Sequence, residues 1–153
     1  MPLRLNWNDY FMEIAKLVAQ RSSCLSRKVG AVIVKDNRVL STGYNGSPSG
    51  LENCSDKGYC LRKGCKSGEN LGTCMAVHSE ENAILQCAKT GISCEGATIY
   101  VTTYPCSNCM KSIIQSGIKK VIYLESYNSP LTDELVRLSG IECIKFENKK
   151  GEM

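Results

Sequence analysis

A chain of 153 residues, 42% hydrophobic and 22% charged, has room for one packed domain with its own core and none for a second of ordinary size. Its net charge of +4 suits an anionic small molecule and falls short of the basic stripe that marks a nucleic-acid binder. No segment is apolar over the roughly 20 residues that a membrane-crossing helix needs. Ten cysteines follow an opening that reads as an amphipathic helix and not as a secretory leader. Together they predict a reducing, cytosolic setting, where clustered thiols serve as metal ligands or catalytic groups more often than as disulfides.

Tyr10, Phe11, Ile14, Leu17 and Val18 recur at helical spacing behind an Asn6 cap, predicting a first helix that ends near Arg21. Two β-branched runs, Val29 to Val34 and Val39 to Thr42, flank the turn formers Asp36 and Asn37 and predict a hairpin. From Asn45 to about Met75 runs a polar segment rich in glycine and cysteine. It is long for a structureless loop inside a compact domain, so something other than apolar burial is expected to order it. The rest alternates: a helix from His78 stopping at Gly91, a strand over 97–103, a helix over 106–117, a strand over 119–125, a short helix over 131–140 and a last strand over 142–146. Strands separated by helices predict an α/β fold with a largely parallel sheet, covered on both faces and preceded by the hairpin. Residues 1–153 read as a single domain with a Cys-rich insertion at about 45–75, without internal repeats.

Cys106 and Cys109 stand three apart at a strand-to-helix junction, where the positive helix N-terminus favours thiolates over thiols. On those two residues alone, a metal site and a thioredoxin-like redox pair are equally good readings. The single histidine, His78, separates them. It opens a helix and is followed two residues on by Glu80. With Pro105, Cys106 and Cys109 this writes H-x-E…P-C-x-x-C, the signature of zinc-dependent nucleobase deaminases. Residues two apart do not share a helix face, so His78 and Glu80 can serve one site only if it lies over the helix end. Three ligands, His78, Cys106 and Cys109, leave the fourth tetrahedral position open to water, as catalytic zinc requires. Two thiolates nominally cancel the ion's charge, so the water is acidified less than at an all-histidine site and needs a nearby proton acceptor. Glu80 is placed for that role, taking a proton from the water and returning protons to the ring nitrogen and the departing ammonia.

The stretches RSSCLSRKVGAVIV, STGYNGSPSG and CMAVHSEENAILQCAKTGISCEGATIYVTTYPCSNCMKSIIQSGIKKVIY, in this order, resemble the deoxycytidylate (dCMP) deaminase family over about Trp7 to Phe146. The family usually carries alanine between the histidine and the glutamate, where this chain has Ser79. The resemblance implies a three-layer α/β/α sandwich of the cytidine deaminase type, with a five-stranded mixed sheet flanked by helices. It implies conversion of dCMP to dUMP and ammonia, supplying dUMP for thymidylate synthesis. It also implies a homo-oligomer, a hexamer, with dCTP and dTTP as effectors and Mg²⁺ accompanying the bound nucleotide.

A nucleoside monophosphate needs cations or amides for its phosphate and a polar or aromatic wall for sugar and base. Arg21 and Lys28 are candidates for the phosphate, Asn45 for the sugar, and Tyr104 and Tyr127 lie after strands, where open α/β sheets hold ligands. Of the remaining cysteines, Cys87 and Cys143 fall on apolar faces and are expected to pack as small hydrophobes, whereas several others border the long polar segment. By resemblance, Cys24, Cys54, Cys60 and Cys74 match a second, closed zinc site, with Cys65 the alternative to Cys60. The same chemistry on dCTP, a free nucleoside, a pterin or flavin precursor or tRNA stays open on these residues. A noncatalytic zinc module is disfavoured, because a closed site has no use for a carboxylate at an open position.

Overall fold

In a computed structural model, residues 4–59 and 74–147 are described. Helix α1 spans Trp7–Ala19, and the Asn6 side chain caps it by accepting from the Asp9 amide at 2.8 Å. The hairpin forms as β1, Gly30–Lys35, and β2, Arg38–Tyr44. Asp36 and Asn37 join them with φ of 51° and 58°, the left-handed pair that a two-residue hairpin turn requires and that Asx residues tolerate. A short helix α2, Cys54–Lys57, lies in the polar segment, where sequence periodicity is too brief to announce it. Then follow α3 Ser79–Thr90, β3 Thr98–Thr103, α4 Ser107–Gln115, β4 Lys120–Glu125, α5 Pro130–Ser139 and β5 Glu142–Lys145. Gly91 and Gly140, both at positive φ, end α3 and α5.

The five strands form one mixed sheet in the order β2-β1-β3-β4-β5. Strand β1 is antiparallel to both β2 and β3, while β3, β4 and β5 pair in parallel. Four strands therefore run one way and only β1 is reversed. The expected preponderance of parallel strands holds, but the hairpin is built into the sheet and does not merely precede it. Burial gives the reason. The run Ala31-Val32-Ile33 is fully buried and belongs in the middle of a sheet covered on both faces, whereas β2 alternates exposed and buried residues and takes the edge.

Alternation along the strands sorts side chains between two cores. Ala31, Ile33, Ile99, Val101 and Val121 point toward α3 and α4, meeting Ala83, Cys87, Met110 and Ile113. Val32, Val34, Tyr100 and Ile122 point the other way and meet Phe11, Met12 and Ala15 of α1. Cys87 and Cys143 do pack on the α3–α4 side, as their apolar faces predict, and Cys94 joins that core. The Cα positions of the sheet and α3 are tightly constrained at Gly43. A Cβ there would lie 2.3 Å from the Ser79 carbonyl oxygen and 2.5 Å from the Ala83 amide nitrogen. The glycine thus lets the first turn of α3 rest directly on β2. Ser41 reinforces the contact by donating to the Ala83 carbonyl at 2.7 Å.

The polar segment is ordered by hydrogen bonds where it is described. Asn53 Oδ1 accepts from Ser23 Oγ at 2.8 Å and from the Ser47 amide at 3.3 Å, and the Ser55 amide donates to the Ser23 carbonyl at 3.2 Å. Gly46 and Val77 exchange two main-chain hydrogen bonds, at 3.2 and 2.8 Å, which draws the end of the segment against its beginning just ahead of His78.

Candidate active site

Because β2, β3 and β4 run together, the loops after them and the segment leading into β1 share one edge of the sheet. His78 is the N-cap of α3 and Cys106 the N-cap of α4, both in extended backbone conformation, with Cys109 in the first turn of α4. Two helix N-termini therefore converge on one point. His78 Nδ1 lies 3.5 Å from Cys106 Sγ and 3.3 Å from Cys109 Sγ, and the three ligand atoms fall within 4.8 Å of one another. Tetrahedral zinc, with Zn–S about 2.3 Å and Zn–N about 2.0–2.1 Å, separates a sulfur and a nitrogen ligand by about 3.5 Å. The donor set fits that ion. Among the described residues it is the one group of three or more His, Cys, Asp or Glu side chains gathered closely enough to do so.

The two thiols divide between them: one is held as a thiolate and the other is not. Cys106 is held down to about 4, first by its hydrogen bond with Cys109 and then by His78, while Cys109 is pushed up by the same bond and by burial. Its bond with Cys106 raises His78. Glu80, only 4% exposed, is lifted above the usual carboxylate range mainly by burial, with the Ser79 hydrogen bond pulling it back.

Pro105 and Cys106 are fixed from α5. Thr132, fully buried, donates to the Pro105 carbonyl at 3.0 Å and meets the Ser129 hydroxyl at 2.7 Å. No spacing signal in the sequence points to Thr132, because the contact joins residues 27 apart.

The candidate substrate residues divide. Asn45 is committed to the chain: its Oδ1 accepts from the Val29 amide at 2.9 Å and its Nδ2 donates to the Arg27 carbonyl at 2.7 Å. Its work here is to clamp the segment entering β1. The Tyr104 hydroxyl donates to Asp133 Oδ1 at 2.6 Å and its ring meets Tyr123 edge-on; burial first, and then Asp133, raises its pKa. Tyr127 carries the Arg27 guanidinium over its ring, 5.4 Å from the centroid. Arg27, the neighbour of the expected Lys28, makes no ion pair among the described residues. Arg21 lies over the Tyr44 ring at 6.0 Å. With Lys28 it lines a polar cleft of about 690 Å³ at the β2 edge, beside Ser47, Asn82 and Gln86. Cys24 also borders this cleft, whereas His78, Cys106 and Cys109 do not. Cys24, Cys54 and Cys74 form no second cluster by themselves; Cys60, and Cys65 with it, lie outside the described residues.

The contact at Gly43 sets where Glu80 stands, so Gly43→Ala is expected to push the first turn of α3 away from β2. Overpacking of this kind costs about 1–3 kcal/mol, and a displacement near 1 Å can lower turnover by about a hundredfold. Thermal unfolding together with kcat checks this: a variant as active as the parent would show that the close approach does not position Glu80.

A mixed five-stranded sheet flanked by helices, carrying one histidine and two cysteines at converging helix ends with a buried glutamate beside them, defines a zinc-dependent deaminase of the nucleobase type. The chain belongs to the cytidine and deoxycytidylate deaminase zinc-binding family, whose sequence profile matches residues 5–125. It is 47% identical over 151 residues to ComE operon protein 2 of Bacillus subtilis, covering 94% of this chain and 73% of that one. It is 44% identical over 146 residues to the deoxycytidylate deaminase of Schizosaccharomyces pombe, covering 94% of this chain and 45% of the yeast protein. Its fold superposes on the cyanophage S-TIM5 dCMP deaminase in complex with dCMP and dUMP, with a TM-score of 0.76 and 31% identity, over 95% of this chain and 100% of that one.

Proposed function

We propose that this protein deaminates dCMP to dUMP and ammonia. The observation that carries the reading is the placement of Glu80 beside the His78, Cys106 and Cys109 ligand set, at the same edge of the sheet as a stacked arginine, Arg27, that makes no ion pair among the described residues. His78, Cys106 and Cys109 would hold Zn²⁺, which when bound polarises a water and lowers its pKa. Glu80 accepts that water's proton and delivers it to the ring nitrogen, then takes the proton of the hydroxyl added to the ring carbon and passes it to the amine, which leaves as ammonia. Burial keeps bulk water from competing for the carboxylate. The relatives' names and the cyanophage complex support dCMP as the substrate.

Arg27 and Tyr127 suit the 5′-phosphate. Stacking holds the guanidinium in place over the ring, while its donors stay available for bidentate recognition of a phosphate. Arg21 and Lys28 have a separate cleft, which suits a second phosphorylated ligand. In this reading dCTP and dTTP, with Mg²⁺, act there as effectors, and the family's hexameric assembly is adopted. Cys24, Cys54, Cys60 and Cys74 would hold a second, structural zinc that orders the polar segment. In support, the Ser55–Ser23 bond ties together the chain next to Cys54 and next to Cys24.

Ammonia release from a substrate panel tests the function. The kcat/KM for dCMP is expected to exceed that for deoxycytidine by about a hundredfold, the worth of one or two charge-assisted hydrogen bonds, and single-stranded DNA and tRNA are expected to be inert. Arg27→Ala is expected to narrow that preference about tenfold. Equal turnover of deoxycytidine and dCMP, or faster turnover of dCTP or tRNA, would assign the site to another substrate.

A further inference from the structure

Ser79 sits between the metal-ligating histidine and the catalytic glutamate and has no accessible surface. Its hydroxyl donates to Glu80 Oε1, and the side chain makes no other hydrogen bond among the described residues. Among the described side chains Ser79 is the one that donates to Glu80, whose own backbone amide also bonds the carboxylate. A buried carboxylate without a donor is costly, and a carboxylate with freely rotating oxygens presents its lone pairs in several directions. Here one oxygen is tied to the residue next to it.

We propose that Ser79 is a positioning residue: its hydroxyl holds Oε1 and so fixes the direction in which the carboxylate meets the water and the base. The inference rests on the deaminase reading of the site. Two effects of the hydrogen bond must be weighed. It makes the carboxylate a weaker proton acceptor, and it makes the protonated group a better donor. Glu80 works in both directions within one turnover, so these changes oppose one another. Loss of orientation has no such compensation, because it misdirects both transfers. Removing the hydroxyl therefore slows turnover.

The geometry also separates this role from substrate binding. A residue that orients the proton carrier acts on the chemical step, so kcat should move and KM should stay. Removing a hydroxyl from a packed position leaves Ala in its place, so the backbone contact of α3 with Gly43 is kept.

The test compares the zinc-loaded parent, Ser79→Ala and Ser79→Thr with dCMP, measuring kcat, KM, zinc content and melting temperature. Ser79→Ala is expected to lower kcat about five- to tenfold, with KM within twofold of the parent, zinc unchanged and melting temperature within about 3 °C. Ser79→Thr keeps the donor and is expected to recover at least half of the lost kcat. If the added methyl prevents folding, the alanine variant decides the matter alone. An unchanged or higher kcat in Ser79→Ala overturns the proposal, as does a fall in kcat accompanied by zinc loss or a raised KM. A parent that releases no ammonia from dCMP points instead to failure of the functional reading.

Discussion

Glu80→Gln is expected to lower kcat for dCMP by more than about 10⁴-fold while leaving zinc bound. General acid or base help contributes roughly 10² to 10⁴, and Glu80 supplies both kinds within one cycle, first accepting a proton and then returning it. Glutamine has nearly the same shape and polarity but cannot carry a proton. The same substitution is expected to leave the melting temperature equal to or above that of the parent. The sign follows from burial. A carboxyl whose pKa is raised on folding destabilises the folded state wherever it is ionised, so replacing it with a neutral amide removes that penalty. Ammonia release, metal analysis and thermal unfolding on one preparation check all three expectations. Activity within tenfold of the parent, or loss of zinc, would remove Glu80 from the role of proton carrier.

Cys109→Ser is expected to abolish detectable turnover by removing the ion itself. Cys109 is fully buried in the first turn of α4, and a serine hydroxyl there is too short and too weakly acidic to replace a thiolate as a zinc ligand. The variant should carry one zinc fewer than the parent and lose the stability that metal binding confers on the folded state alone. Stripping the parent with a chelator should likewise silence it, and added Zn²⁺ should restore it; the variant should not recover. With the second site included, metal analysis is expected to give two zinc ions per chain in the parent and one in Cys109→Ser. An active Cys54→Ser variant holding one zinc would mark the remaining ion as the catalytic one. Full zinc content in Cys109→Ser would displace Cys109 from the ligand set.

The two substitutions act on different links of the same construction. Glu80 and His78 belong to one helix end and the cysteines to another, so the site exists only where α3 and α4 meet. That meeting depends on contacts far from the chemistry: the close approach at Gly43, the Ser41 bond to Ala83, and the Thr132 bond to Pro105. These are backbone distances and pairings across dozens of residues, and each holds a reacting group at a fixed place.

The chemistry was legible in the chain itself. His78, Glu80, Pro105, Cys106 and Cys109 carry their meaning in spacing, because a histidine at an N-cap and a glutamate two residues on must both look over the end of their helix. The order of elements was legible too, since Asn6, Asp36, Asn37, Gly91 and Gly140 are local punctuation whose effect depends on neighbouring backbone angles. What only the tertiary structure decided was long-range. The insertion of β1 between β2 and β3 follows from which apolar run is best covered, a choice made by the packing of the whole sheet. Asn45 became a clamp for the segment entering β1, and Arg27 emerged beside Tyr127 where the sequence favoured Lys28. Adjacent residues in an irregular segment can point in opposite directions, and no periodicity records which one faces the site. The placement of Arg21 and Lys28 in a separate cleft has the same origin: side chains close in sequence are parted by the turn of the chain, while side chains 100 residues apart, such as Arg27 and Tyr127, are brought together by the order of the strands.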